Sequence, residues 1–334
     1  MTPTPPARSR RQTLLADGAL LTVAIGWGFN FIVIKSAVDT MAPMLYLMLR
    51  HVVAVVLLVA VMPRSVTQSK PRDWLFGALL GTLLFIAFTA QTIGLQYTTP
   101  GKSGFITGLN VAMVPFMYML VARRSPGRVQ VGGALVAAAG LGVLSLRGNF
   151  TLSWGDGLTL ISAVAYAGQI TATGFFAPKT RPATLAITQI VVAAALFCVV
   201  TPFFAPVSVH LPWKMWAAIV WTAAMGTVYA FLVQATAQRH TSSTHTAVIL
   251  CLESVFAAFF SVLFGYESLT GRLFGGAALI FVGILVIELL PTDGGDRLLA
   301  RLGLRRPAPA EAGASPPAGR AALPPLDEVP RLKE

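Results

Sequence analysis

The sequence predicts an all-α integral membrane protein with ten transmembrane helices. They form a five-plus-five inverted repeat with both termini cytoplasmic. Three observations predict this: scarce charge, ten apolar runs of spanning length, and an internal repeat that maps five runs onto the other five. Of the 334 residues, 55% are hydrophobic and 11% charged, with mean hydropathy +0.71. A soluble domain carries about 25% charge. The 13 acids are placed selectively. Asp293, Asp296, Glu311, Asp327, Glu328 and Glu334 lie in the tail, and Asp17, Asp39, Asp73, Asp156, Glu267 and Glu288 lie at segment ends. Only Glu253 falls inside an apolar run.

Taken in order, residues 1–15 are a basic N-terminal tail. Its "SRRQTLL" resembles a twin-arginine export signal. The next segment is long, carries Trp27 and Asn30 and lacks an A-x-A cleavage site, so it reads as the first helix. The apolar runs are 16–37, 43–62, 74–96, 101–122, 129–146, 155–176, 183–204, 213–236, 242–265 and 271–290. About 20 apolar residues cross a bilayer. A soluble bundle would show polar faces at helical period, and these runs are apolar all round. Connectors such as "MPRSVTQSKPRD" and "ARRSPGR" are too short for soluble domains. Residues 291–334 hold eight prolines in 44 positions and read as a disordered cytoplasmic tail, with "LLARLGLRR" as a short interfacial helix.

Basic residues set the orientation. Alternate loops carry Arg8, Arg10 and Arg11, then Arg64, Lys70 and Arg72, then Arg123, Arg124 and Arg128, then Lys179 and Arg181, then Arg239. The opposite loops carry Lys102, Arg147, Lys214 and Arg272. The positive-inside rule puts the first set in the cytoplasm. Net charge +12 and pI near 10.4 are therefore a membrane-orientation signal, with no nucleic-acid partner implied. Cys198 and Cys251 fall within spans as small apolar packing residues, with no disulfide expected.

The fourth run opens with "TTPGKSGFITGLN", whose Gly101-Lys102-Ser103 looks like the end of a phosphate-binding loop. That loop needs a glycine at position 96, between a strand and a helix. Position 96 is Gln96, preceded by apolar "LLFIAFTAQTIG". The tripeptide is instead a helix start, with Thr98 or Thr99 as N-cap and Pro100 in the first turn. Lys102 then sits at the outer interface. A helix start beside a lysine also suits a substrate carboxylate.

The repeat appears at two offsets. At 143, Ala87, Phe88, Gln91 and Thr98 fall on Ala230, Phe231, Gln234 and Thr241, and "GGALVAAAG" falls on "GGAALIFVG". Lys102 falls on His245 and Asn110 on Glu253. At 139, Trp27, Asn30 and Arg50 fall on Tyr166, Gln169 and Gln189. Five helices per half is an odd number, so the second copy is inverted in the membrane. Inverted repeats are a recurrent build of secondary transporters, with substrate near the midplane between the halves.

Here a resemblance becomes specific. Trp27-Gly28-x-Asn30, then Lys35, Pro43 and Arg50, is similar to the first two helices of the EamA-type drug/metabolite transporter superfamily. The stretch 252–287, with Gly265 and Glu267, resembles that family's ninth and tenth helices. The resemblance covers residues 16–290, as repeats at 16–146 and 155–290. It implies an exporter or exchanger of small metabolites. Helices one to four and six to nine would surround a cavity, with five and ten as scaffold.

The candidate pocket residues are Trp27, Asn30, Arg50, Gln91, Asn110, Gln169, Gln189, Gln234 and Glu253. Charge at the bilayer centre costs roughly 2.5–3.5 kcal/mol on insertion scales, so charged groups there face a cavity or a partner. Glu253, roughly 15 Å deep at 1.5 Å per residue, is the coupling candidate. It could load and release a proton, pair a substrate amine, or only neutralise Arg50. The amides could equally bond neighbouring helices. Phe29 is expected to share an apolar wall with Trp27, and His51 to face another helix. Gly77 and Gly81 form a Gly-x-x-x-Gly for close helix contact, within the protomer or across a homodimer.

The expected function is secondary or facilitative export of small metabolites such as amino acids or drug-like compounds, by alternating access. Lipid-linked or nucleotide-sugar substrates are the alternative within transport, although a nucleotide would want more deep basic residues than Arg50. A channel or sensor is the alternative class. An enzyme is not expected, because the four histidines are scattered and no intramembrane carboxylate pair exists. No cofactor or metal is implied. The expected location is a bacterial cytoplasmic membrane.

Overall fold

The computed structural model describes residues 10–122, 128–145, 153–207, 209–266 and scattered positions between 268 and 286. The tail after 291 and the loop at 146–152 lie outside the described residues. Among those described, the regular structure is helical throughout.

Helix α1 runs Arg10–Val38, so the helix begins before the span expected at 16. Then come α2 (Pro43–Val61), a short α3 (Pro63–Thr67) in the connector, and α4 (Pro71–Gln96). The fourth run is broken into α5 (Pro100–Gly108) and α6 (Asn110–Ala122). Helices α7 (Arg128–Ser145), α8 (Trp154–Phe176) and α9 (Pro182–Val200) follow. The eighth run is α10 (Trp213–Ala223), a π-helical turn at Ala224–Tyr229, and α11 (Ala230–Ala237). The ninth is broken into α12 (Ser243–Leu250) and α13 (Leu252–Leu263). Among the described residues, eight spans are long and apolar enough to cross a membrane, and a shorter apolar helix covers Val131–Gly140.

Local chemistry sets the boundaries. Proline opens α2, α4, α5 and α9, where its fixed φ suits the first turn and its missing N–H leaves no bond unmade. Capping boxes start two helices: Asp73 accepts from Lys70 N, and Asp156 accepts from Ser153 N. Thr99 caps α5 by accepting from Lys102 N, and Ser242 caps α12 by accepting from His245 N. The Gly-Lys-Ser stretch is thus the first turn of a helix.

The two sequence halves interleave. Helix α4 packs against α8 and α9, α1 against α13, α2 against α9, and α5 against α13 and α8. Gly77 and Gly81 work within the chain: a Cβ at Gly81 would lie 2.6 Å from Gln189 O, so α4 and α9 touch backbone to backbone. His51 faces neighbouring helices, with its ring 5.0 Å from Phe88 and 4.6 Å from Phe197. Phe29 departs from expectation. It packs on Trp221, Phe260 and Phe264 instead of joining Trp27. The two fall on different faces because successive helical residues turn by about 100° and Phe29 is two places on. Leu75, Val56 and Leu120 stay exposed on the bundle surface, as a lipid-facing exterior requires.

The candidate functional site at the centre of the bundle

The backbone first makes room for the site. A Cβ at Gly28 would lie 2.8 Å from Ala257 N, so only glycine lets α1 cross α13 this closely. The crossing brings Trp27 and Asn30 to the same cavity as Glu253. Glu253 lies in the first turn of α13, just past the break at Cys251. Its repeat partner Asn110 opens α6, just past the break at Leu109. Both breaks thus present a polar side chain at the start of a half-helix, where free N–H groups favour acceptors.

The cavity is lined by Trp27, Asn30, Arg50, Gln91, Asn110, Gln169 and Glu253, together with Phe31, Ile34, Phe88, Tyr166 and Ile170. Its open volume is about 30 Å³. That holds roughly two waters at 10–15 Å³ each, and no metabolite.

Arg50 is 1% exposed. Its Nε donates to Thr227 Oγ1 at 2.9 Å and its Nη2 to Gly226 O at 3.2 Å, both on the π-helical turn. Its guanidinium carbon lies 4.6 Å from the Phe88 ring centroid, a stabilising cation–π geometry. Nη1 has no partner. Trp27 Nε1 also donates to Gly226 O, and Trp221 Nε1 donates to Asn30 Oδ1. Asn30 Nδ2 has no partner. The first half thus offers two unused donors at the cavity.

The second half is arranged differently. Gln169 Nε2 donates to Gln189 Oε1 at 3.1 Å, and Gln234 Nε2 donates to Gln169 Oε1 at 3.0 Å. Gln189 and Gln234 therefore sit behind Gln169 and do not line the cavity, contrary to expectation. Their amides are held by Gln169, which alone of the three reaches it. Gln91 accepts from Tyr166 OH and donates to Thr107 Oγ1.

Glu253 is 5% exposed and makes no hydrogen bond or ion pair among the described residues. It does not neutralise Arg50. Lys102, considered above as a carboxylate site, already holds a protein carboxylate: its Nζ is 2.6 Å from Asp156 Oδ2. Among the described residues no cluster of His, Cys, Asp and Glu is placed to hold a metal. Sequence reasoning missed Phe88 and Tyr166 as lining residues. Both stood in the repeat, as counterparts of Phe231 and Trp27, and an aromatic carries no signal separating cavity wall from core.

Comparison with known proteins agrees with this architecture. A solved crystal structure superposes with TM-score 0.69 at 21% identity, covering 87% of this chain and 99% of the other. An uncharacterized transporter of Archaeoglobus fulgidus is 32% identical over 278 residues, 83% of this chain and 86% of that protein. A probable amino-acid metabolite efflux pump of Escherichia coli is 28% identical over 294 residues, 81% of this chain and 94% of that protein. The EamA-like transporter family matches twice, over residues 14–146 and again over 153–289. This chain, a multi-pass integral membrane protein, belongs to the EamA-like transporter family.

Proposed function

We propose that this transporter moves small zwitterionic metabolites of the amino-acid type across the cytoplasmic membrane by alternating access, in the outward direction. One observation carries the substrate class. Among the described residues, an arginine with a free Nη1 and a glutamate with no hydrogen-bond or ion-pair partner line the same buried cavity without pairing each other. A substrate carboxylate suits Arg50 and Asn30, and a substrate amine suits Glu253. Two buried charges left unpaired are costly unless a ligand completes them. The proton that Glu253 can take up makes it the coupling candidate. The relative from Escherichia coli, by its name, supports the class.

In this reading the chain has ten spans in two inverted repeats. The double family match over 14–146 and 153–289 supports that count, and so does the break shared by α5–α6 and α12–α13. Both termini lie in the cytoplasm.

The test compares the medium of cells expressing wild type, Glu253→Gln, Arg50→Gln and empty vector at matched membrane levels. A zwitterionic metabolite enriched only by the wild type is the expected result. Equal enrichment by all three proteins would remove both charges from the site.

A further inference from the structure

Two acid–base side-chain contacts stand outside the cavity and are related by the internal repeat. Lys102 Nζ lies 2.6 Å from Asp156 Oδ2, and His245 Nε2 lies 2.8 Å from Asp17 Oδ1. His245 follows Lys102 by the same offset that separates Gln91 from Gln234, and Asp156 follows Asp17 by the offset that separates Trp27 from Tyr166. The caps agree, since Thr99 and Ser242 occupy equivalent places ahead of Lys102 and His245. The repeat thus exchanges one pair for the other. Each joins one half to the other: Lys102 on α5 with Asp156 on α8, and His245 on α12 with Asp17 on α1. Among the described residues these are the acid–base contacts of this kind that bridge the halves, because Lys35–Asp39 is local to α1 and the turn after it.

The pairs sit at opposite ends of the bundle. Following the chain, α1 runs from the first end to the second, α2 back, and α4 forward again, so Lys102 at the start of α5 is at the second end. Asp156, at the start of α8 two crossings later, joins it there. Asp17 near the start of α1 and His245 near the start of α12 meet at the first end. Contacts agree with this count: Gln96 donates to Val38 O at the second end, and Arg181 donates to Gln68 at the first.

We infer that Asp17, Lys102, Asp156 and His245 are the gate residues of the transport cycle, one pair closing each end of the path to the cavity. The inference rests on the transporter reading above. An inverted repeat that rocks must release contacts between its halves at one end while keeping them at the other. These pairs join half to half, they swap under the repeat, and both are closed while the cavity holds only about 30 Å³. Asp156 is fully buried, its carboxylate accepts from three donors, Lys102 Nζ, Thr98 Oγ1 and Ser153 N, and its own backbone N–H donates to Ser153 Oγ. The aspartate stays on its helix, so the lysine is the partner that leaves when α5 and α8 part.

The test uses full-length protein in vesicles of known orientation, with Cys198→Ser and Cys251→Ser removing native thiols and Ile170→Cys reporting from the cavity. A membrane-impermeant maleimide is applied from each side in turn. Lys102→Gln and Asp156→Asn are expected to raise labelling severalfold from one side only. His245→Gln and Asp17→Asn are expected to raise it from the opposite side only. Lys102→Arg, which keeps the pair, stays at the closed level. Unchanged labelling in both sets of variants, or a rise from the same side or from both sides with either set, would overturn the gates. Wild-type solute flux, measured in the same vesicles, separates the two claims. Flux of a zwitterionic amino acid without a sided labelling response sinks the gates alone, and a sided response without that flux sinks the proposed substrate class and leaves the gates standing.

Discussion

At the scale of single residues, the cavity depends on one carbonyl. Gly226 O receives both Trp27 Nε1 and Arg50 Nη2. A Cβ added at Gly226 would run into the Asn30 amide and lie 3.1 Å from Arg50 Nη2. Overpacking of this kind costs about 1–3 kcal/mol. Gly226→Ala should therefore lower the unfolding midpoint in detergent and weaken uptake or release of substrate together, read by thermal scanning and a flux assay. Unaltered flux would mean that Asn30 and Arg50 can shift without harm. The sequence showed Arg50, Asn30 and Glu253 plainly, because polar groups stand out in an apolar run. It could not separate Gln169 from Gln189 and Gln234. All three are glutamines inside spans, and only their mutual hydrogen bonds decide which one faces the cavity.

At the scale of elements, the helix lengths were legible and their interruptions were not. Prolines and charged connectors marked most starts, as at Pro43, Pro71, Pro100 and Pro182. Nothing in "AMGTVY" announces a π-helical turn, since the bonding shift is made by tertiary partners. Thr227 Oγ1 donates to Thr222 O, five residues back, while accepting from Arg50 Nε. The break at Cys251 adjoins no glycine or proline, the one at Leu109 follows Gly108, a residue type frequent in uninterrupted membrane helices as well, and each break has local αR geometry. What the sequence did hold was their equivalence, through Asn110 and Glu253. Thr227→Val tests the π-turn's role. It removes the acceptor for Arg50 Nε, and a hydrogen bond to a charged group is worth about 1.5–3 kcal/mol. Stability should fall by about that amount, with substrate affinity falling more than in Thr222→Val, which leaves the Arg50 acceptor in place. Equal effects of the two would show that the turn supports the fold alone.

At the scale of the whole molecule, the two ends of the bundle differ in charge. The first end presents Arg64, Lys70, Arg72, Lys179, Arg181 and Arg239. Its described acids are spoken for, Asp73 by the start of α4 and Asp17 by His245. At the second end, among the described residues, Lys35 pairs with Asp39 and Lys102 with Asp156, and Lys214 adds one further cation. The basic residues that insertion reads are concentrated at the first end. The first end should face the cytoplasm. In a Cys198→Ser, Cys251→Ser background, Val207→Cys at the second end should react with an impermeant thiol reagent on intact cells. Thr67→Cys at the first end should react only after the membrane is opened. The reverse pattern would invert the molecule: the Asp17–His245 pair would then lie on the outside and Lys102–Asp156 on the inside. With the expected pattern, the Asp17–His245 pair lies at the cytoplasmic end and the Lys102–Asp156 pair at the outer end, with Arg50 and Glu253 between them.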